Sequence, residues 1–540
     1  PHWGLTAASR LRPQAPNFQR MPHSDYASLM ALVESDPSAL TDKPSDAVPA
    51  GLAEADRSGI AGHPPGLSTL FFTELWERFS YYGMRALLIL FMTAPAVAGG
   101  LAFDAKRAGA IYGLYTFSVY FTAIPRGWNR GPLVGLRRAV LVGAVLIACG
   151  HYLLFLMSVG GLSFFYTGLV LIALGTGLVK PNISSIVGQL YAPDDQRRDA
   201  GFSIFYMGIN IGAAFSPLIC GWLGQKVAWH WGFGAAAVGM TLGIVQYVLG
   251  SKRLGQAGLM RERPAQPVQQ WSIVLGMVML TALALYLFFD YKLVLVGVVS
   301  LAFFGWLLKQ TRDGLEKKRV LAVFVLFLFA TVFWSGFEQA GSSLNLFGDR
   351  ITRNTIFGWE FPSSWMQSVN AMFLWMLAPV FAILWIRLAR REPSSPAKFA
   401  YGLLFVGLGF LVVAIAARMS PPVAAGIPVT AETKLPADAL VSPMWLIVVY
   451  LLHTIGELCL SPVGLSVVTK LAPERLVGSM MGVWFLSIAL GNMVGGEVSR
   501  YFETFALPNL FGAVFLTTAG SALALALLVG PIRRLMGGVH

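Results

Sequence analysis

Charge is scarce in this chain. Only 12% of its 540 residues are Asp, Glu, Lys or Arg, against roughly 25% in an ordinary soluble domain. Cysteine is scarcer still. Cys149, Cys220 and Cys459 each stand alone in an apolar segment. With no CxxC or metal-ligand spacing, neither a disulfide framework nor a zinc site is indicated, and all three read as small core residues. Catalytic signatures are missing too. The apolar segments contain no HExxH, GxSxG or Ser–His pairing of a membrane-embedded hydrolase or acyltransferase. There is no GxxxxGKS/T of an ATP-driven pump and no repeated filter-like loop of a channel. Residues 1–66 lack the apolar stretch of a cleavable signal peptide. Their composition predicts a disordered tail, 1–67 in all. Because the chain opens on Pro1 and an ordinary start follows at Met21, residues 1–20 are candidates for non-native upstream sequence.

What is present is hydrophobic. Apolar residues make up 56%, with 57 glycines and 37 phenylalanines, and the mean hydropathy is +0.63. Runs of 18 or more apolar residues recur, which defines an all-α polytopic membrane protein. Fourteen spans are predicted, near 68–93, 107–124, 137–157, 161–190, 200–224, 229–250, 270–288, 291–309, 319–347, 361–386, 399–417, 442–469, 476–503 and 508–533. A net charge of +13 raises the question of nucleic acid, but the basic residues sit in short alternate loops. These carry Arg126, Arg130, Arg137 and Arg138; Lys252, Arg253, Arg261 and Arg263; Lys309, Arg312, Lys317, Lys318 and Arg319; Arg387, Arg390, Arg391 and Lys398. The other loops hold chiefly Lys292, Arg350, Arg353 and Lys434. That asymmetry is the positive-inside pattern, which places both termini in the cytoplasm and excludes a nucleic-acid face. The six–two–six grouping predicts a bundle over 68–252, a linker with two extra spans over 253–318, a second bundle over 319–534 and a short tail over 535–540. The extra pair, with only Asp290 and Lys292 ionisable at its turn, reads as a lipid-facing appendage.

Charges inside spans are costly and usually functional. In the first span Glu74, Glu77, Arg78, Tyr81, Tyr82 and Arg85 fall on one side of a helix. A structural ion-pair cluster is the plainer reading of the same residues. Lys180, in a Gly- and Pro-containing fourth span, lies too deep to reach either interface comfortably, which points to a carboxylate partner rather than snorkelling. Asn210 in the fifth span is either interhelical glue or a site residue. In the ninth span Ser335, Glu338, Ser342 and Asn345 share a predicted helical face; in the twelfth, His453, Glu457 and Ser461 do. For Asn370 and Trp484, amide glue and aromatic packing stay open as alternatives. The seven intramembrane ionisable residues are four carboxylates and three cations. Inserted unpaired they cost roughly 20 kcal/mol, so most must pair. A lone carboxylate in a low dielectric favours its protonated form, which makes the proton the natural coupling ion, with Glu338, Glu74 and Glu77 as carriers. No other cofactor is indicated.

Five segments carry a family resemblance. Glu74-x-x-Glu77-Arg78-Phe79-x-Tyr81-Tyr82-Gly83 resembles the first-helix signature of proton-dependent oligopeptide transporters, a branch of the major facilitator superfamily. Phe205-Tyr206-x-x-Ile209-Asn210-Ile211-Gly212 resembles the fifth-helix signature. Gly177-x-x-Lys180-Pro181-Asn182, Phe337-Glu338-Gln339 and Gly456-Glu457-Leu-x-x-Ser461-Pro462 are similar to further family segments. The likeness runs from about 68 to 533 and includes the bacterial-type extra helix pair. It implies a major facilitator fold of two six-helix bundles with an inserted hairpin. It also implies a bacterial-type inner membrane location and proton-driven import of di- and tripeptides, with no obligatory protein partner. Arg78, Lys180, Tyr82 and Tyr120 would hold the peptide carboxylate; Glu457, Asn210 and Asn370 would receive its ammonium. Glu74, Glu77 and an Arg85–Glu338 salt bridge would couple protonation to binding. Lys180 and Glu457 would pair across the bundles in the empty site, and Trp484, Ser461 and Tyr81 would line a side-chain pocket.

The residue chemistry agrees. A zwitterionic peptide needs cations at one end of a cavity and a carboxylate at the other; recognition through termini and backbone predicts broad specificity. The runner-up is a same-fold carrier of another small anion, such as nitrate or a conjugate, against which the complete first-helix signature argues. One loop departs from the family pattern. Where relatives carry Gly-x-x-x-Asp-Arg-x-x-Gly-x-Arg-Arg, this chain keeps Gly135-x-Arg137-Arg138 but has Gly131 and Pro132 for the Asp and its Arg. A compensated frameshift across 125–134 would produce such a scramble, and resequencing the gene would decide it.

Overall fold

A computed structural model describes residues 58–122, 135–192, 195–260 and 291–538. The polar tail before Ser58, the altered 125–134 loop, and the first extra span near 270–288 with Asp290 lie outside the described residues. Among those described, eleven helices are long and apolar enough to cross a membrane. Two more complete the set. The first, α1 (Gly66–Thr93), carries too many charges to register by hydropathy; the second, α2 (Ala105–Phe121), is 17 residues long. The others of the first bundle are α3 (Leu136–Phe155), α4 (Met157–Gln189), α5 (Arg198–Trp222) and α6 (Trp229–Gly250). After the linker come α7 (Lys292–Lys309), α8 (Gly314–Phe337), the half-helix α9 (Ser343–Arg350) and α10 (Ser368–Leu388). The last four are α11 (Ser395–Arg418), α12 (Met444–Leu471), α13 (Val477–Ser499) and α14 (Leu507–Met536).

Two elements fall outside the expected pattern. A two-residue-per-strand hairpin pairs Thr355 with Glu360 and Ile356 with Trp359. Phe357 and Gly358 both take positive φ at its turn, the backbone that the right-handed twist of a tight hairpin requires. The second is a break. The predicted common face of Ser335, Glu338, Ser342 and Asn345 does not exist as one helix. The ninth span turns 3-10 over Glu338–Gly341, and Ser342 leaves helical geometry at φ −129°, ψ −98°. A one-helix projection therefore misplaces Ser342 and Asn345. In the structure Ser342 accepts a hydrogen bond from Ser499 (2.7 Å), and Asn345 donates to the Ala86 carbonyl of α1 (2.9 Å).

Helices with no water-driven force between them associate by close approach of small residues. Where α2 meets α13, a Cβ on Gly496 would stand 2.4 Å from the Gly113 Cα, and one on Gly109 2.8 Å from the Gly496 carbonyl. Any larger side chain would part the bundles there. Contacts between the bundles gather toward this end, opposite the basic loops: α2 with α13, α5 with α10, α1 with α9. Trp365 donates to the Leu218 carbonyl (3.0 Å), and Trp222 stacks on Trp359 with ring centroids 6.2 Å apart.

Helix α7 is more than a lipid-facing appendage. Lys292, Val296, Ser300, Phe304 and Leu307 form one buried stripe at helical spacing. Phe304 packs on Phe324 and Phe327 of α8 (4.6 and 5.0 Å between centroids). Lys292, 2% exposed, pairs with Glu497 of α13 at 2.6 Å, and Arg500 holds the other Glu497 oxygen at 2.6 Å.

At the basic-loop end the surviving part of the loop motif is put to structural use. Arg137 donates to the carbonyls of Ala257 (2.6 Å) and Gly255 (2.7 Å), pinning α3 to the segment that leaves the first bundle. Outside the spans, Arg197 grips Asp195 through two nitrogens (3.1 and 2.7 Å) and donates to the Gly62 carbonyl at 2.9 Å. That guanidinium holds the Asp195 carboxyl below its ordinary range. His63 and the Tyr191 hydroxyl are hydrogen-bonded at 2.9 Å, and burial pushes that hydroxyl up to about 12.

Candidate functional site

The first pole is built inside a single helix. Residues four apart lie one above the other on α1, so Arg78 meets Glu74 at 3.1 Å, and it also pairs with its sequence neighbour Glu77. All three are at most 2% exposed. Their pairing is incomplete in hydrogen-bond terms, since Arg78 Nη2 and Glu74 Oε2 are buried with no hydrogen-bond partner among the described residues. The Arg78 guanidinium also lies 5.5 Å from the Tyr81 ring, and Tyr81 meets Tyr82 edge-on at 5.2 Å. Half-buried Lys180, on α4, places its ammonium 4.0 Å from the centroid of the Tyr120 ring on α2. A cation on an aromatic face is stabilised without being neutralised. Among the described residues Lys180 forms no ion pair, and the expected Lys180–Glu457 pair of the empty site is absent. With the bundles joined toward the opposite end, each of these groups keeps partners from its own half.

The second pole is assembled from two helices. Glu457 of α12 accepts from the Asn370 amide of α10 at 3.3 Å, and that amide also reaches Thr454 at 2.9 Å. Ser461 lies half-buried one turn further along α12. Trp484 is 6% exposed; it packs against Trp334 and Phe399, and its ring fills the space beside Gly464. Gly464, two turns from Glu457, shares that residue's face of α12. Asn210 makes no hydrogen bond to this pole among the described residues; its Nδ2 donates to the Tyr206 carbonyl one turn back in its own helix (3.0 Å).

A third group joins the halves. Arg85 of α1 pairs with Glu338 at 2.5 Å, and its Nε donates to the Tyr112 hydroxyl of α2 at 2.7 Å. Arg85 and Glu338 are 7% and 5% exposed. Removing one partner of so buried a pair costs about 3–5 kcal/mol. The α8–α9 break makes room for this group. A Cβ on Gly341 would fall 1.8 Å from the Tyr112 hydroxyl and 2.9 Å from Arg85 Nε. Tyr112, Gly341 and Thr454 are the participants that sequence reasoning missed. Thr454, three residues before Glu457, carried an available helical-spacing signal; Gly341 carried none.

Two helical bundles closed against each other at one end, with opposed charged poles on the two halves and a cross-bundle ion pair, define a secondary carrier of the major facilitator type. The POT family model matches residues 137–510, and the chain belongs to the POT family. The peptide transporter YePEPT of Yersinia enterocolitica subsp. palearctica serotype O:3 (strain YE-P4) is 40% identical over 512 residues, covering 89% of this chain and 96% of that one. The di-/tripeptide transporter of Lactococcus lactis subsp. cremoris is 35% identical over 504 residues, 89% of this chain and 98% of its own. The crystal structure of a peptide transporter POT in complex with sulfate matches with a TM-score of 0.81 at 39% identity. It covers 90% of this chain and 98% of that one.

Proposed function

We propose that the protein is a proton-coupled symporter that imports di- and tripeptides by alternating access. The observation that carries this reading is the separation of the poles. Arg78 and Lys180 belong to one bundle and Glu457 with Asn370 to the other, and no ion pair joins them. A zwitterionic peptide spans such a pair of poles: its carboxylate takes the orphaned Arg78 Nη2 and the Lys180 ammonium, and its ammonium takes Glu457. Tyr82 and Tyr120 line the carboxylate end. Trp484, Ser461 and Tyr81 border the side-chain space, with Asn210 as a contributor from α5. Bridging draws the halves together on the basic-loop side, which the positive-inside pattern makes cytoplasmic. Residues 68–252 and 319–534 are the two units that rock, the general behaviour of carriers built from paired bundles.

Coupling rests on the carboxylates. A proton taken by Glu338 removes the charge that holds Arg85, loosening α1 and α2 from the α8–α9 break and freeing the closed end to open. Glu74 and Glu77, sharing one arginine, link a second protonation to the carboxylate pole, because neutralising either strengthens the hold of Arg78 on a peptide. The protein needs no cofactor beyond the proton and performs no covalent chemistry on its cargo.

Uptake of labelled dialanine into proteoliposomes tests the reading. Accumulation is expected under an inward proton gradient, to collapse with a protonophore and to be competed by unlabelled di- and tripeptides. Competition by nitrate instead of peptides would transfer the protein to the anion-carrier alternative, and gradient-independent flux would make it a facilitator or channel.

A further inference from the structure

A cavity of about 830 Å³ opens at the basic-loop end of the second bundle, within the roughly 300–1,000 Å³ typical of ligand sites. Its walls are the end of α10 (Phe381, Trp385), the following loop (Glu392), the first turn of α11 (Lys398) and the ends of α12 and α14 (Lys470, Arg533). Helix α12 contributes Leu458, Pro462 and Ser466. At about 100° per residue these lie about 100–180° around the helix from Glu457, so the cavity and the peptide poles use different faces of one helix.

Its chemistry suits a lipid anion. Among the described residues, three cations and one carboxylate line it. Lys398 is 7% exposed, its ammonium ion-paired with Glu392 and 4.2 Å from the centroid of the Trp385 ring. A buried ammonium requires an anion, and here that anion sits on an exposed side chain at the edge of a Pro-Ser-Ser loop, where another oxyanion can replace it. Beside Trp385, α10 exposes Val380, Ile383 and Ile386, an apolar surface on which acyl chains can lie. Tryptophan at this depth is an interfacial residue, and basic pockets between spans on the cytoplasmic side accommodate anionic head groups.

We infer that this cavity binds the phosphate head group of an anionic membrane lipid, held by Lys398, Lys470 and Arg533 with its acyl chains along α10. Such a lipid braces α10 and α12, the two helices that supply Asn370 and Glu457, so its occupancy sets the geometry of the amine pole from behind. A free phosphate ion shares the head-group chemistry but gains nothing from the apolar flank.

Native mass spectrometry of the full-length protein, titrated with phosphatidylglycerol, phosphatidylcholine and inorganic phosphate, tests the inference. One phosphatidylglycerol is expected to be retained, phosphatidylcholine released, and inorganic phosphate unable to displace the retained lipid. Lys470→Gln with Arg533→Gln should weaken retention roughly tenfold or more, while Lys470→Arg with Arg533→Lys preserves it and Glu392→Gln strengthens it. Equal retention by the charge-removed variant, or phosphatidylcholine held as well as phosphatidylglycerol, would overturn the proposal. Displacement by inorganic phosphate would assign the cavity to the free ion and overturn the lipid.

Discussion

The two bundles hold their charges in opposite ways. In the first, Glu74, Glu77 and Arg78 are stacked within one turn of α1, so the pole is internally paired and built before any helix meets another. In the second, Glu457 is held by a neutral amide, Asn370, which the Thr454 hydroxyl positions, while Glu338 reaches across to Arg85 of the first bundle. The contrast has a physical consequence. A pole whose charges pair within one helix can face an empty cavity in any conformation. A carboxylate held by neutral groups, or by the other half of the molecule, is sensitive to where the halves stand. Gating should therefore be exerted mainly through the second bundle's acids, and affinity for the peptide carboxylate mainly through the first.

Breaking the cross-bundle pair should have the largest effect. Glu338→Gln is expected to abolish proton-driven accumulation while sparing counterflow exchange across proteoliposomes; full accumulation by this variant would remove Glu338 from coupling. Next comes the first pole. Lys180→Ala strips a cation from the carboxylate end, and uptake at low peptide concentration is expected to fall roughly a hundredfold, the weight of about 3 kcal/mol. Wild-type uptake would show that the pocket lies elsewhere.

A third variant acts on packing around the pair. Gly341→Ala drives a methyl group into the Tyr112 hydroxyl, an overpacking cost of about 1–3 kcal/mol, visible as a lower melting temperature. Tyr112→Phe added to it should recover much of that loss, because the clash is with the hydroxyl itself; no recovery would mean that the break, not the contact, is what alanine disturbs. The smallest effect belongs to the amine pole. Thr454→Val takes one partner from Asn370 and should raise the KM for dialanine a few-fold, the scale of one hydrogen bond at about 0.5–1.5 kcal/mol. An unchanged KM would leave Thr454 as a helix-packing residue alone.

Much of the architecture was legible before folding. Span positions follow from uninterrupted apolar length, and Gly161, at φ 59°, sits inside α4 at the very residue where the fourth span was expected to begin. The first pole was legible because helical spacing alone brings its members together. The second was half legible: Glu457 and Ser461 share a helix, but Asn370, the partner of Glu457, is 87 residues away from it. The ninth span was misread as one face, since helical periodicity presumes a continuous helix and the chain bends at Ser342. Asn210 shows the converse limit, a motif residue whose Nδ2 donates back into its own helix.

Hydropathy, charge placement and three- and four-residue spacings are properties of short stretches of chain. From them alone follow a polytopic helical membrane protein, its division into six, two and six spans, and the acid–base cluster of the first helix. The meeting of Arg85, Tyr112, Gly341 and Glu338 joins distant segments, Arg85 and Glu338 being 253 residues apart, as does the pinning of Lys292 to Glu497. The first depends on two bundles approaching until small residues touch and the second on α7 seating against α13, distances set by packing of whole helices and written in no local pattern.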